Sequence, residues 1–171
     1  MAAAVRLVEQ DGTTAVSVTD LAEVANVSRQ MLYLHFGDRD VLLVAAAADL
    51  VERDLLAEVG DPDAAQPGRI LAVARHFARH RRFYRPMLTG TCAQPLSAAF
   101  AKLFGSLITD AGLREVFGDL DDVTVRDVIT LISHGVGAIV HDWVVNGADP
   151  LVPEELADRL QGLIALFVRR R

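Results

Sequence analysis

The chain has 171 residues, of which 51% are hydrophobic, and its 17 basic and 23 acidic residues give a formal net charge of −6. This length and composition suffice for a hydrophobic core without disulfides or metals, and the single Cys92 excludes a disulfide within one chain. We interpret Cys92 as an incidental thiol, with a redox sensor as the alternative. The apolar run at residues 41 to 48 is too short to span a bilayer and the N-terminus lacks a signal-peptide pattern. Both features predict a cytoplasmic protein with no membrane partner.

Residues 17 to 40 predict two short helices joined by a tight turn and followed by the start of a third helix. Ser17 begins the first helix, because Ser followed three residues later by Asp20 forms a capping-box pattern. Asn26 tolerates the left-handed conformation that a tight turn needs, and Ser28 caps the second helix. This arrangement predicts a helix-turn-helix.

The second of these helices, residues 28 to 36, carries an outward face suited to DNA. Leu32 and Phe36 face inward, while Gly37 and Asp38 end this helix and cap the next one. The outward side chains combine a cation, an amide, a phenol and an imidazole, which suit base edges and phosphates: Arg29, Gln30, Tyr33, Leu34 and His35.

The segments AAVRLVEQDG (residues 3–12) and YLHFGDRDVLL (residues 33–43), together with the helix-turn-helix between them, resemble the tetracycline-repressor-like (TetR) family of transcriptional regulators. Tyr-x-His-Phe followed by Gly, a capping residue and a basic residue is the most specific part of the match. The resemblance implies phosphate contacts for Thr19, Tyr33 and Arg39. It also implies major-groove contacts for Arg29, Gln30 and Leu34, with help from Ser28 and His35.

The charge of this N-terminal region conflicts with a DNA partner. Residues 1 to 45 hold three Arg and six acidic residues, whereas DNA-binding domains usually present a basic surface. Either a few Arg side chains and helix N-termini at phosphates suffice, or a basic arm is missing. Aligned on Gly12, the chain lacks the first half of the family's opening helix, so we expect a truncated N-terminus.

The rest of the chain has a helical pattern throughout, which predicts an all-α fold. We expect a helix-turn-helix DNA-binding domain at residues 1 to 44 and a helical effector-binding and dimerisation domain at residues 45 to 171. Turn-forming residues predict a break at 60 to 68. The predicted helices beyond the first domain are residues 38–59, 69–80, 82–88, 95–111, 121–146 and 153–170.

The last two predicted helices carry apolar side chains at helical spacing, a pattern typical of packing surfaces. The resemblance implies that they pair two copies of the chain as a four-helix bundle; an ordinary monomer core is the alternative. Two recognition helices would then meet successive major grooves of a palindromic operator. The candidate interface residues are Ile132, Val136, Ile139, Trp143, Leu160, Leu163, Ile164 and Phe167.

Large apolar side chains between these two regions predict either a cavity for a small hydrophobic or aromatic effector or a plain core. The candidate pocket residues are Phe77, Tyr84, Met87, Phe100, Phe104, Leu107 and His134. The adjoining segment, residues 69 to 85, holds six Arg and two His without an acid. It predicts a solvated face paired with the acidic segments 61–63 and 119–122, or a surface that attracts an anionic ligand or DNA phosphate.

Signatures of catalysis are incomplete. His76 with His80 and the pair His141-Asp142 lack further metal ligands, and neither a phosphate-binding loop nor a nucleophile elbow is present. We therefore predict no catalytic residue, metal or cofactor. The resemblance implies a homodimeric repressor that binds operator DNA and is released by its effector. The alternatives are a helical ligand- or protein-binding dimer without specific DNA binding and, less favoured, a metal-dependent helical enzyme.

Overall fold

The computed structural model describes residues 1–55 and 66–168, without the side chains of residues 66, 115, 167 and 168. All regular structure in these ranges is helical, which confirms the predicted all-α fold. The helices are α1 (Ala2–Asp11), α2 (Val18–Val24), α3 (Arg29–Phe36), α4 (Arg39–Asp54), α5 (Gln66–Arg79), α6 (Arg81–Thr89), α7 (Ala93–Ser106), α8 (Asp110–Phe117), α9 (Asp122–Asn146) and α10 (Pro153–Val168).

Side-chain caps begin each of the three helices that follow α1, as the sequence predicts. The Ser17 hydroxyl accepts a hydrogen bond from the Asp20 amide at 3.0 Å, and the Ser28 hydroxyl accepts one from the Met31 amide at 3.1 Å. The Asp38 carboxylate does the same for the Val41 amide at 2.8 Å. These bonds satisfy amides that have no partner within the helix.

The turn between α2 and α3 also has the predicted geometry. Asn26 has φ of 53°, the left-handed conformation, and Gly37 after α3 has φ of 77°. Leu32 and Phe36 are half-buried and pack against the core. Two left-handed residues therefore bracket α3 and set its direction relative to its neighbours.

Several predicted helix boundaries are wrong. The predicted helix at 95–111 is two elements, because α7 ends at Ser106 and α8 begins at Asp110. The Thr109 hydroxyl caps α8 by accepting a hydrogen bond from the Gly112 amide at 3.1 Å. Helix α4 ends at Asp54 rather than residue 59, and α5 begins at Gln66, within the predicted break. Residues 56–65, which include most of that break, lie outside the described residues, as do 169–171 at the predicted end of α10.

One continuous buried cluster joins the N-terminal helices to the rest of the described chain. Helix α1 packs against α4 and α6, α7 packs against α9, and α10 packs against α5. Val8 of α1, Leu43 of α4 and Phe83 of α6 have no exposed surface and belong to the same cluster. The predicted domain boundary at residue 44 falls within α4 and stays a prediction.

Helix α9 is long and apolar enough to cross a membrane by length and composition alone. The sequence analysis predicted this helix at residues 121–146 but tested only the shorter run at residues 41–48 as a membrane span. Val140, Trp143 and Val144 of α9 are buried in the described core, and core helices of soluble proteins share this composition. A single such helix is therefore weak support for membrane insertion.

Candidate nucleic-acid interface

Helix α3 presents most of its side chains to solvent. None of its residues is buried, although Leu32 and Phe36 contact the core. Leu34 is 88% exposed, Met31 57% and Tyr33 54%. Exposed apolar side chains lower the free energy when a partner covers them, and a thymine methyl group in the major groove could cover Leu34. The outward face of α3 therefore has the composition and exposure expected of a binding surface, and its binding of DNA stays a prediction.

The first turns of α2 and α3 place two predicted DNA-binding residues together. Arg29 donates from a guanidinium nitrogen to the Thr19 hydroxyl at 3.5 Å, and both side chains are exposed. Arg29 also lies in the first turn of α3, where free amides carry partial positive charge. A phosphate at this corner would meet a cation, a hydroxyl and a helix N-terminus.

Arg39 at the start of α4 is held by its neighbour Asp40. The Nε and a terminal nitrogen of Arg39 both lie 2.8 Å from the same Asp40 oxygen, and the Arg39 side chain is 32% exposed. Burial alone would raise the pKa of Asp40, but hydrogen bonds from Thr91 and Arg39 and the Arg39 charge lower it below its ordinary value. Thr91 lies between α6 and α7, so this ion pair adjoins the C-terminal helices.

All predicted DNA-binding residues reach the surface of the N-terminal helices. Arg39 is half-buried and the others are exposed: Thr19, Ser28, Arg29, Gln30, Tyr33, Leu34 and His35. They lie on α2, at the cap and along the length of α3, and at the start of α4, and the Arg29–Thr19 contact joins two of them. Their contact with DNA stays a prediction.

The residues predicted to line an effector pocket form a packed aromatic cluster. Phe77, Tyr84 and Met87 have no exposed surface, and Phe100 and Phe104 are 3% and 5% exposed. Ring centroids lie 4.8 Å apart for Phe77 and Tyr84 and 4.9 Å apart for Phe77 and Phe100. These contacts are typical of a plain core, which the sequence analysis gave as the alternative to an effector cavity. Leu107 is half-buried against the same cluster, and ligand contact for this set stays a prediction.

A buried polar pair lies within the aromatic cluster. The His76 Nε2 and Tyr84 hydroxyl are 2.8 Å apart, and His76 is 4% exposed. Burial, with help from nearby His80, lowers the pKa of His76 to about 4. Burial likewise raises the pKa of Tyr84. Both groups are therefore neutral near pH 7, and the Nδ1 of His76 has no hydrogen-bond partner among the described residues.

His134 lies apart from the aromatic cluster, on the exposed side of α9. Its Nδ1 is 2.9 Å from the carbonyl oxygen of Thr130. It lines an open groove of about 460 Å³ between α7 and α9. The sequence prediction missed this groove, although small residues three or four apart on α7 indicate close helix packing. The other lining residues are Ala98, Ala101, Lys102, Gly105, Ile129, Thr130 and Ser133.

The predicted dimer-interface residues differ in exposure. Trp143 and Leu160 are each 7% exposed, so they belong to the core of one protomer. Leu163 is 39% exposed, the Phe167 side chain lies outside the described residues, and the remaining four are half-buried: Ile132, Val136, Ile139 and Ile164. The structure adds two exposed apolar residues that the sequence prediction missed, Leu131 at 74% and Leu166 at 61%.

Described contacts engage Arg81 and Arg75 of the Arg-rich segment 69–85, whereas Arg79, Arg82 and Arg85 are exposed. Arg81 donates to the carbonyl oxygens of Val144 at 3.0 Å, Gly147 at 2.7 Å and Ala148 at 2.7 Å. Arg75 lies 3.5 Å from Glu154. The predicted pairing with acids at 119–122 is wrong, since Asp119 and Asp122 pair with Arg114. The acids at 61–63 lie outside the described residues.

The described residues place no group of three or more His, Cys, Asp or Glu side chains where it could hold a metal ion. Cys92 is buried. Burial, with help from the nearby Asp40 charge, raises the pKa of Cys92 to about 11. Because the thiolate is the reactive form, this environment favours an unreactive thiol.

Comparison with known proteins was made for both sequence and structure. Residues 1–46 match the family model of bacterial regulatory proteins, tetR family. No curated protein sequence matches the chain. Among solved structures, the dihydroxyacetone kinase operon activator DhaS shares 16% identity, with a TM-score of 0.65 over 98% of this chain and 92% of its own.

Two further solved structures are similar over nearly their whole length. A TetR-family transcriptional regulator from Rhodococcus sp. shares 20% identity, with a TM-score of 0.65 over 97% of this chain and 94% of its own. The TetR family repressor AlkX from Dietzia sp. shares 21% identity, with a TM-score of 0.61 over 98% and 94%. These identities show the fold alone. Together with the N-terminal match, they confirm the resemblance predicted from the sequence.

Proposed function

This chain carries a tetR-family domain in its first 46 residues and has a TetR-family fold, and on that basis we propose that it is a cytoplasmic, ligand-responsive regulator of transcription that binds operator DNA. The observation that carries the proposal is the surface of α3. It presents Arg29, Gln30, Tyr33 and His35 to solvent and places the exposed Leu34 among them. Such a mixture suits the polar edges and methyl groups of the major groove.

We propose that the regulator acts as a homodimer through α9 and α10. Exposed apolar side chains on both helices, Leu131 and Leu166 above all, support this assignment, because apolar surface without a cover marks an interaction site. The half-buried Ile132, Val136, Ile139 and Ile164 and the exposed Leu163 extend that surface. Two copies of α3 would then contact half-sites about 34 Å or somewhat more apart on a palindromic operator.

Contacts around α6 support a path from an effector to the DNA-binding helices. His80, just before α6, lies 3.2 Å from Asp54 at the end of α4. Thr91, just after α6, hydrogen-bonds to Asp40 at the start of α4. The core contacts of α6 come from Tyr84 and its neighbours. Both ends of α4 therefore contact residues that flank a helix of the aromatic cluster.

We infer that a small hydrophobic or aromatic effector shifts α6 by separating rings of the aromatic cluster, and that α4 follows. Arg39 in the first turn of α4 would then move relative to the DNA phosphate that it is predicted to contact. An effector shifts this equilibrium only if it binds one arrangement more tightly than the other. We propose that the regulator represses transcription, since a dimer bound to an operator blocks access to the promoter. The similar structures are named for an activator in one case and a repressor in another.

The test is a mobility-shift titration with the DNA upstream of the gene itself. We expect a dimer-sized complex that survives an excess of unrelated DNA. Arg29→Ala should weaken the preference for this DNA, whereas Arg82→Gln, an exposed Arg on α6, should retain it. Equal binding to unrelated DNA by the wild-type protein would refute specific operator recognition.

The alternative is a helical ligand- or protein-binding dimer that does not read DNA. Its support is the acidic composition of residues 1 to 45, with three Arg against six acids. Light scattering separates dimer formation from DNA binding. A dimer that gives no shifted band with any upstream DNA would favour this alternative over the regulator.

The effector is sought by a thermal-shift screen against hydrophobic and aromatic compounds. A compound that stabilises the protein by binding only the folded state raises the melting temperature with its concentration. It counts as the effector only if it also releases the DNA complex. A reporter assay with and without this compound then gives the sign of regulation.

A further inference from the structure

A histidine and two carboxylates meet where α1, α4 and the α5–α6 junction come together. The His80 Nε2 lies 3.2 Å from an Asp54 oxygen, and its Nδ1 lies 3.7 Å from a Glu9 oxygen. The His80 side chain is 15% exposed and each carboxylate is 31% exposed. Both ring nitrogens of one imidazole therefore face an acid, and the acids belong to different helices.

We propose that His80 is a positioning residue for the N-terminal helices. As an imidazolium it bridges Glu9 on α1 and Asp54 on α4, and it holds both helices against the start of α6. We call these three residues the Glu9–His80–Asp54 bridge. Only the charged form of an imidazole has an N–H on both nitrogens, so the restraint on the DNA-binding helices depends on pH.

The chemistry of imidazole explains why charge is required. A neutral imidazole carries one N–H, so one of its nitrogens presents a lone pair. In this geometry that lone pair would face a carboxylate, and the two would repel. The imidazolium carries an N–H on each nitrogen and attracts both acids. The described Nε2 contact is not aligned as a hydrogen bond, so electrostatic attraction between close charges carries the bridge.

Other titratable and charged groups lie around His80 and its neighbour His76. The His76 ring centroid is 5.1 Å from that of His80, but burial holds the pKa of His76 at about 4, so it stays neutral at higher pH. Histidine is the side chain whose ordinary charge change falls between about pH 5 and 8. Glu9 from α1 and Asp54 from α4 face His80 itself, while Arg79 from α5 and Tyr84 from α6 are near the neighbouring His76.

The bridge connects helices that carry or adjoin the predicted DNA-binding surface. Helix α1 packs against both α4 and α6, and α4 begins with Arg39, a predicted phosphate contact. A closed bridge restrains α1 and the end of α4 relative to the C-terminal helices. Restraint before binding reduces the conformational entropy that a DNA complex must remove.

A double-mutant cycle on the full chain tests the bridge without DNA. Urea unfolding is measured for the wild type, Glu9→Gln, His80→Gln and the double variant at one protein concentration, at about pH 6 and about pH 8. We expect the two changes to be coupled by about twofold to fivefold in the unfolding equilibrium constant at the lower pH. We expect no coupling at the higher pH, because a neutral imidazole cannot attract both acids.

His141→Gln, a histidine change on α9, is the matched control and should show no coupling to Glu9→Gln at either pH. Additive effects of Glu9→Gln and His80→Gln at about pH 6 would overturn the proposal. Coupling of equal size at both pH values would also overturn it, because packing or a neutral hydrogen bond would then explain the contact. Glu9→Gln leaves His80 in place, so the cycle remains informative if His80→Gln lowers stability.

A second measurement addresses DNA and rests on the proposed function. Wild-type operator affinity should exceed that of His80→Gln by about twofold to fivefold at about pH 6, and the two affinities should converge near pH 8. His35 on α3 is common to both proteins, so it does not contribute to the difference between them. Identical pH profiles would overturn the role of the bridge in DNA binding. A wild type that binds no DNA would defeat the proposed function, while the unfolding cycle would still decide whether the bridge exists.

Discussion

Replacement of Arg81 should destabilise the fold, whereas replacement of its neighbour Arg82 should not. Arg81 begins α6, and its guanidinium donates to three carbonyl oxygens at the end of α9, from Val144, Gly147 and Ala148. Its side chain is 14% exposed. Arg82 is exposed and forms no ion pair with a described residue. One Arg therefore joins two helices, and the next projects into solvent.

The magnitude follows from the environment of these bonds. A hydrogen bond from a charged donor contributes about 1.5–3 kcal/mol when it is sheltered, and less where water replaces it. The bonds to Val144 and Gly147 are partly buried, and the one to Ala148 is exposed. Gln in place of Arg could retain one bond, so Arg81→Gln should lower the free energy of unfolding by about 2 kcal/mol. A cation near a helix C-terminus adds about 0.3–1 kcal/mol to this loss.

Urea unfolding and thermal melting measure the difference directly. For a chain of this size the expected loss lowers the melting temperature by about 4–10 °C. Arg82→Gln should stay within about 0.5 kcal/mol of the wild type, as surface substitutions usually do. Equal stability of the two variants would refute the assigned role of Arg81. Unchanged salt dependence of operator binding in Arg82→Gln would also exclude a phosphate contact at that position.

Three further predictions concern DNA binding and assembly. Arg29→Ala should cost about 1–3 kcal/mol of discrimination between operator and altered sites, measured by fluorescence anisotropy; an unchanged preference would contradict base reading. Tyr33→Phe removes a hydroxyl at a predicted phosphate, so affinity should fall evenly across sequences, and a sequence-selective loss would reassign Tyr33 to base contact. Leu131→Glu places a charge on α9 at a position that is 74% exposed, so light scattering should show monomers in place of dimers. Asp127→Glu keeps the charge at another position of the same helix and should leave the dimer intact.

Local signals made the helix-turn-helix predictable from the sequence. Ser17, Ser28 and Asp38 accept hydrogen bonds from amides only three residues ahead, so each cap is visible in a short window. Asn26 marks the turn for the same reason. The missed start of α8 was a local signal too, since Thr109 followed by Asp110 is a capping pattern that the continuous helix prediction overlooked.

Long-range contacts were beyond prediction from one sequence. The carbonyl partners of Arg81 lie 63 to 67 positions away along the chain, and nothing in the spacing indicates them. Likewise, an apolar stripe cannot show whether it faces its own core or another subunit. Trp143 and Leu131 lie on the same helix, yet one is 7% exposed and the other 74%. Only the packing of α9 against its neighbours separates them.

The acidic charge of the N-terminal region is a further case in which the sequence alone does not show which groups contact one another. Among its acids, Glu9 faces His80 and Asp40 pairs with Arg39, while Asp38 caps α4. Helix α3 itself contains Arg29 and His35 and no acid.

Net charge is therefore a poor guide to what DNA would meet, because acids engaged with other groups or placed away from α3 count equally in the sum. Few cations at the surface still imply weak binding by one domain, since phosphate neutralisation dominates affinity. In the proposed dimer, two linked domains bind together far more tightly than either alone. A change in their relative position then suffices to release DNA, because neither domain holds it strongly by itself.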